Sequence, residues 1–140
     1  NLADGRLDVS LFERAQKTDV RVFARSIFLQ GALLQSADNL PPNLFALKPI
    51  ISLLDKLGET TGLSREALLF GWLKAVPGIS GVVVGVETIS QLRAAAAAFR
   101  SGELLLQNRK LLQEMQLMDS NVLDPRKWPS KCRPATTENH

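Results

Sequence analysis

Acid–base chemistry has little to stand on in this chain. It contains no tyrosine, and its one histidine is His140, the final residue, where a geometry fixed for proton transfer is hardest to hold. Asp4, Asp8, Asp19, Asp38, Asp55, Asp119 and Asp124 are scattered, without the spacing of a metal-ligand cluster or of paired catalytic carboxylates. Capping and solvation are their expected roles. The single cysteine, Cys132, sits in a polar tail with no partner, which removes disulfide frameworks and cysteine metal sites and favours a reducing, cytoplasmic setting. What remains is contact chemistry for anions. Ser26 to Gly31, SIFLQG, offers a hydroxyl, a run of backbone N–H groups and a glycine, the parts a phosphate-contacting loop uses at the carboxyl end of a strand. An ordinary connection has the same composition, so the surrounding elements must decide between the two.

Those elements alternate helix and strand. Asp8 can cap a short helix with Leu11, Phe12 and Ala15 on one face, broken by Lys17-Thr18-Asp19. Val20, Val22 and Ala24 alternate with Arg21, Phe23 and Arg25, which predicts a strand over Val20 to Ala24, left at Arg25-Ser26. Gln35 to Pro42 is polar and ends in two prolines, so it reads as an extended surface excursion. Leu44, Leu47, Ile50, Ile51, Leu54 and Leu57 resume helical spacing, closed by Gly58 and Gly62. Ser64 then caps a helix whose apolar face is Leu68, Leu69, Trp72 and Leu73, stopped by Pro77-Gly78.

Val82-Val83-Val84, bounded by Gly81 and Gly85, predicts a second strand, parallel to the first and buried on both faces. The helices between supply the crossover that parallel strands need. Thr88 and Gln91 form a capping box for a helix that runs through Ala94–Ala98 to Phe99, the alanines serving as helix formers that permit close packing. Leu104, Leu105, Leu111, Leu112 and Met115 suggest one more amphipathic helix before a tail, residues 130–140, expected to be disordered.

Composition narrows the function classes. With 140 residues, 45% hydrophobic and 22% charged, the chain is globular and of single-domain size. The net charge of +3 comes with Arg109, Lys110, Arg126, Lys127, Lys131 and Arg133 in the last third. Aromatic partners for base stacking are scarce there, so a solvated basic surface is expected and nucleic acid is not. No apolar run approaches the roughly 20 residues that cross a bilayer, so no membrane partner is expected.

Four stretches together resemble the aldo-keto reductases. ARSIFLQGALL (Ala24 to Leu34) resembles that family's seventh strand and following loop, and GVVVGVETISQL (Gly81 to Leu92) its eighth strand and helix start. NLADGR (Asn1 to Arg6) is similar to the segment after the sixth strand, Asn-x-x-Asp-x-Arg, and LDPRKWP (Leu123 to Pro129) to the close of some bacterial members. The resemblance implies an α/β fold, the carboxyl-terminal half of a (β/α)₈ TIM barrel with roughly two parallel strands and several helices, spanning residues 1–129. A whole barrel needs roughly 250 residues. So few strands leave unpaired edges and an apolar inner surface, and the isolated chain is expected to associate.

The resemblance also implies a function: binding of NAD or NADP for carbonyl reduction or alcohol oxidation of a small substrate. The family's catalytic Tyr, Lys, Asp and His belong to the first half of the barrel, so no catalytic residue is carried over and a missing amino-terminal half is the implied partner. Implied cofactor contacts are Arg25, Ser26, Ile27, Phe28, Leu29, Gln30 and Gly31 at the nicotinamide and pyrophosphate, and Gly85, Val86, Glu87, Thr88 and Gln91 at the adenosine. Arg25 stands where relatives often place an aromatic ring, and its guanidinium plane can stack there instead. Glu87 departs from the Ser, Lys or Arg that receives a 2′-phosphate in many relatives. A carboxylate there suits a ribose 2′-OH, which favours NAD. Asn39 to Phe45 is the sizeable loop available to touch substrate. The competing expectation is a non-catalytic regulatory or interaction protein that kept the fold.

Overall fold

The fold is organised around a pair of short parallel strands, β1 (Val22–Arg25) and β2 (Ile79–Val83). The computed structural model describes residues 1–6, 9–102 and 106–129. Within them the chain is mixed α/β and mostly helical. Val22 pairs with Ile79, then Phe23 with Gly81, Ala24 with Val82 and Arg25 with Val83, so Ser80 is an extra residue in the register. Its hydroxyl accepts the Val22 N–H at 3.3 Å, which satisfies a donor that the irregularity leaves without a ladder partner. The first strand begins two residues later than the alternation predicts, because Asp19 takes a left-handed turn at φ 54° and leaves Val20 exposed.

The strands are half-buried rather than covered on both faces, which corrects the expectation for Val82–Val84. Val22, Ala24, Ile79 and Val82 pack against the helical core, whereas Phe23 and Val83 remain 58% and 60% exposed on the opposite face. Phe23 lays its ring over Gly81, where an added Cβ would come within 2.9 Å of Cε1. Within the described chain nothing else covers this open face.

Helix α1 (Val9–Lys17) buries Phe12 and Ala15 but leaves Leu11 exposed, so the predicted three-residue face is two residues wide. Residues 35–42 do not run extended. Short 3₁₀ turns over Ala32–Leu34, Ala37–Asn39 and Pro42–Leu47 fold this stretch down, burying Leu40 and Leu44. The apolar residues thus outweigh the polar composition.

Helix α2 (Lys48–Thr61) buries Ile50, Ile51, Leu54 and Leu57 and ends at Gly62, whose φ of 70° and N–H bond to Gly58 O close the helix. Gly58 lies inside the helix rather than at its end. Helix α3 (Arg65–Lys74) starts at Ser64, whose hydroxyl accepts the Ala67 N–H at 3.2 Å. Ala67 to Leu73 are buried all round, the pattern of a helix inside the core rather than on its rim. It packs between α2 and α4 (Ile89–Ser101). Arg65 fastens it to α2 through Asp55 and to the preceding loop through Gln35 O.

Residues 2–5 meet the segment around Leu117. Leu117 exchanges backbone hydrogen bonds of 2.8 Å with Ala3 and Gly5, and Leu2 and Ala3 are buried beneath the contact. Helix α5 (Leu106–Glu114) buries Leu112, and α6 (Ser120–Leu123) buries Val122 and Leu123, with Trp128 Nε1 donating to Val122 O at 3.0 Å. The Asp8 cap, Leu104, Leu105 and the tail carrying Lys131, Cys132, Arg133 and His140 lie outside the described residues. No helix among the described residues is long and apolar enough to cross a membrane.

Candidate functional site

Parallel pairing sets the carboxyl ends of both strands side by side, and a groove of about 430 Å³ opens there. Arg25, Ser26, Ile27, Phe28, Gln30 and Gly31 line it from the loop after β1, and Val83, Val84 and Gly85 from the end of β2. Two segments read separately in the sequence therefore share one concavity, at the end of the sheet where ligands of open α/β sheets bind.

The loop after β1 has an unusual backbone. Ser26, Leu29, Gln30 and Gly31 all have positive φ, at 55°, 49°, 53° and 82°. Only Gly31 adopts this region without a steric penalty, and each of the others costs on the order of 1 kcal/mol. Burial explains why the loop holds: Ile27 and Leu29 are 4% and 1% exposed, anchoring the turn in the core. Leu29 is thus a core residue and not a groove residue, and its N–H is engaged by Ser26 O at 3.0 Å. Phe28 is half-buried, lines the groove, and meets Phe70 of α3 edge-to-face at 5.6 Å.

This conformation leaves donors pointing to no protein acceptor. Ala32, Leu33 and Leu34 N–H bond back to Leu29, Phe28 and Gly31 carbonyls, whereas the amides of Ile27, Phe28, Gln30 and Gly31 donate to no acceptor among the described residues. Among the described residues the Ser26 hydroxyl is likewise without a partner, and exposed Arg25 makes no ion pair. Among the described residues Arg25 is the one charged residue lining the groove. Unpartnered amides, a hydroxyl and a guanidinium carried by residues that line one concavity form a set of donors suited to an anion.

Of the second group of expected contacts Gly85 lines the groove, and the other four lie beyond its lining. Val86, Glu87, Thr88 and Gln91 are all exposed. Thr88 and Gln91 form the predicted capping box: Thr88 Oγ1 accepts the Gln91 N–H at 3.1 Å, and Gln91 Oε1 accepts the Glu87 and Thr88 N–H groups at 2.7 and 3.3 Å. The cap holds the Glu87 backbone at the start of α4 while its carboxylate stays in solvent. Asn39 to Phe45 does not line this groove. Its residues from Pro42 on belong to the 3₁₀ helix Pro42–Leu47 packed on α2 and α6, where the Asn43 carboxamide is buried without a partner among the described residues.

Sequence reasoning missed Val83 and Val84 as lining residues and the left-handed run at Leu29-Gln30. Gly31 alone carried a signal for positive φ. No group of three or more metal-ligating side chains exists among the described residues. No family model matches the chain, and no curated protein matches it.

Proposed function

We infer that this chain is the cofactor-binding half of an NAD(P)-dependent oxidoreductase of the aldo/keto reductase type, the carboxyl-terminal half of a (β/α)₈ barrel. One observation carries the reading. The two stretches that resemble the family's seventh- and eighth-strand loops meet in a groove at the strand ends, and the residues that line it carry four amides and a hydroxyl without a partner among the described residues, together with Arg25. That donor set suits a pyrophosphate, and the groove volume lies within the usual range for small-molecule sites.

In this reading the Ser26 hydroxyl and the amides of Ile27, Phe28, Gln30 and Gly31 bind the pyrophosphate, and Gly31 lets the backbone approach it closely. Arg25 orients the nicotinamide by stacking its guanidinium plane on the ring and balances part of the phosphate charge. Glu87 accepts from the adenosine ribose. The bound nicotinamide would supply the hydride that reduces a carbonyl, or accept it from an alcohol. Proton donation by Tyr, helped by Lys, Asp and His, would come from a complementing amino-terminal half.

Amide chemical-shift mapping tests this site. NAD added to the labelled chain should shift Ile27, Phe28, Gln30 and Gly31 together, and leave Lys56 and Thr60 on α2 unmoved. Shifts confined to other surfaces would refute the assignment. A second reading, a non-catalytic interaction protein that kept the fold, draws support from the exposed apolar stripe on α4. The complementing sequence separates the two: strand-end Tyr, Lys, Asp and His favour the enzyme.

A further inference from the structure

Helix α4 carries an apolar stripe that the described chain covers only in part, where Phe99 meets Phe70 edge-to-face at 5.5 Å and lies under Lys74 Nζ at 4.8 Å. Ala98 is its one fully buried side chain, set against α3, and beyond the helix an added Cβ on Gly102 would stand 2.6 Å from Ala67 O of α3. Ile89, Leu92 and Phe99 are 70%, 55% and 40% exposed, and Ala96 is half-buried. At about 100° per residue these four fall within an arc of about 80°, turned away from Ala98. Single exposed apolar residues are ordinary, but a continuous stripe at helical spacing marks a contact surface. None of the four lines the groove.

The stripe matches itself. Set antiparallel to a copy of itself about a two-fold axis near Ala94, it places Ile89 opposite Phe99 and Leu92 opposite Ala96. Leu92 then meets a small side chain, and Ala96 allows the axes to approach to about 8 Å. The same arrangement brings Arg100 beside Thr88 and Glu87 of the partner subunit. Arg100 and Glu87 are both exposed, with no ion pair inside the described chain. Glu87 is the acidic residue beside an otherwise basic helix surface, and it stands at the end where the antiparallel partner presents a cation. Antiparallel helix dipoles add to the match.

From this we propose that two copies of the chain associate through α4, antiparallel, with Leu92 packed on the partner's Ala96 and Glu87 paired with the partner's Arg100. A single face of a 13-residue helix, about 20 Å long, buries less than a standard interface, so the dimer is expected to be weak, with a dissociation constant on the order of micromolar. The proposal does not depend on what the groove binds.

Sedimentation equilibrium of the chain without cofactor, over a range of concentrations, tests it. A monomer–dimer equilibrium is expected. Leu92→Glu and Ala96→Glu should each weaken it at least about tenfold by placing an unpaired charge in the contact, with helix content unchanged by circular dichroism in Leu92→Glu, whose site is solvent-facing. Glu87→Arg and Arg100→Glu should each weaken it, and the double variant should restore it. A monomer at every concentration would overturn the proposal. So would a double variant that fails to recover, or association that survives Leu92→Glu and is lost in Phe23→Glu, which would place the contact on the open sheet face.

Discussion

Glu87 stands one residue before the α4 cap, its backbone N–H held at 2.7 Å by Gln91 Oε1 and its side chain exposed. In a complete reductase with this half, a carboxylate facing the adenosine ribose would repel a 2′-phosphate by about 1 to 3 kcal/mol at intermediate dielectric. That corresponds to a roughly five- to 150-fold preference for NAD over NADP. Glu87→Ser should remove most of that preference and Glu87→Arg should reverse it, read as dissociation constants for both cofactors at one salt concentration. An unchanged ratio in Glu87→Ser would show that the carboxylate plays no part. Asp124 offers a test that is independent of function. Hydrogen bonds from the Arg126 side chain and backbone hold its carboxyl at about 2, below the ordinary 3.8. A carboxyl depressed on folding contributes stability above its unfolded value and loses it as pH falls through its folded value, here between 3.8 and about 2. Titration followed by carboxyl chemical shift should give that low midpoint, and Arg126→Ala should raise it toward the ordinary value.

At the scale of elements, Phe70 joins the groove to α4. Its ring meets Phe28 at 5.6 Å and Phe99 at 5.5 Å, both edge-to-face, and it is 1% exposed. Phe70→Ala should cost about 3 to 5 kcal/mol and release both neighbours, measured by denaturant unfolding. Gly102→Ala should also destabilise, by about 1 to 3 kcal/mol, because its Cβ would press on the Ala67 carbonyl and Gly71 N, at 2.6 and 3.0 Å. A Gly102→Ala variant as stable as the parent would mean that α3 and α4 separate freely. The caps at Ser64 and at Thr88/Gln91 were legible in the sequence because each is a side chain bonding to backbone within four residues. The strand limits were not, since β1 is trimmed by the Asp19 turn and by the extra residue at Ser80, paired across 58 residues. Residues 35–42 misread because composition registers polar side chains and not the few apolar ones, Leu40 above all, that fold the segment down. Half of the candidate site was legible as a loop. Its convergence with Val83 to Gly85 depends on long-range pairing that no local pattern encodes.

For the molecule as a whole, the absence of tyrosine and the single terminal histidine predict no carbonyl-reductase turnover by this chain with either nicotinamide cofactor. Cofactor absorbance change above a protein-free blank, lost on mutating Ser26 or Arg25, would contradict that. Binding is the stronger test, because the proposed function places the pyrophosphate contacts in the groove. Gly31 and Gly62 both have positive φ, 82° and 70°, and an added Cβ on either meets nothing within 4 Å. Alanine at each therefore brings similar backbone strain, about 1 kcal/mol, but only at Gly31 does it intrude on the groove. The deciding measurement is calorimetric titration of NAD into the chain and into Gly31→Ala and Gly62→Ala. The account predicts saturable binding that Gly31→Ala weakens at least about tenfold and Gly62→Ala leaves unchanged; equal affinity in all three proteins, or none in any, would contradict it.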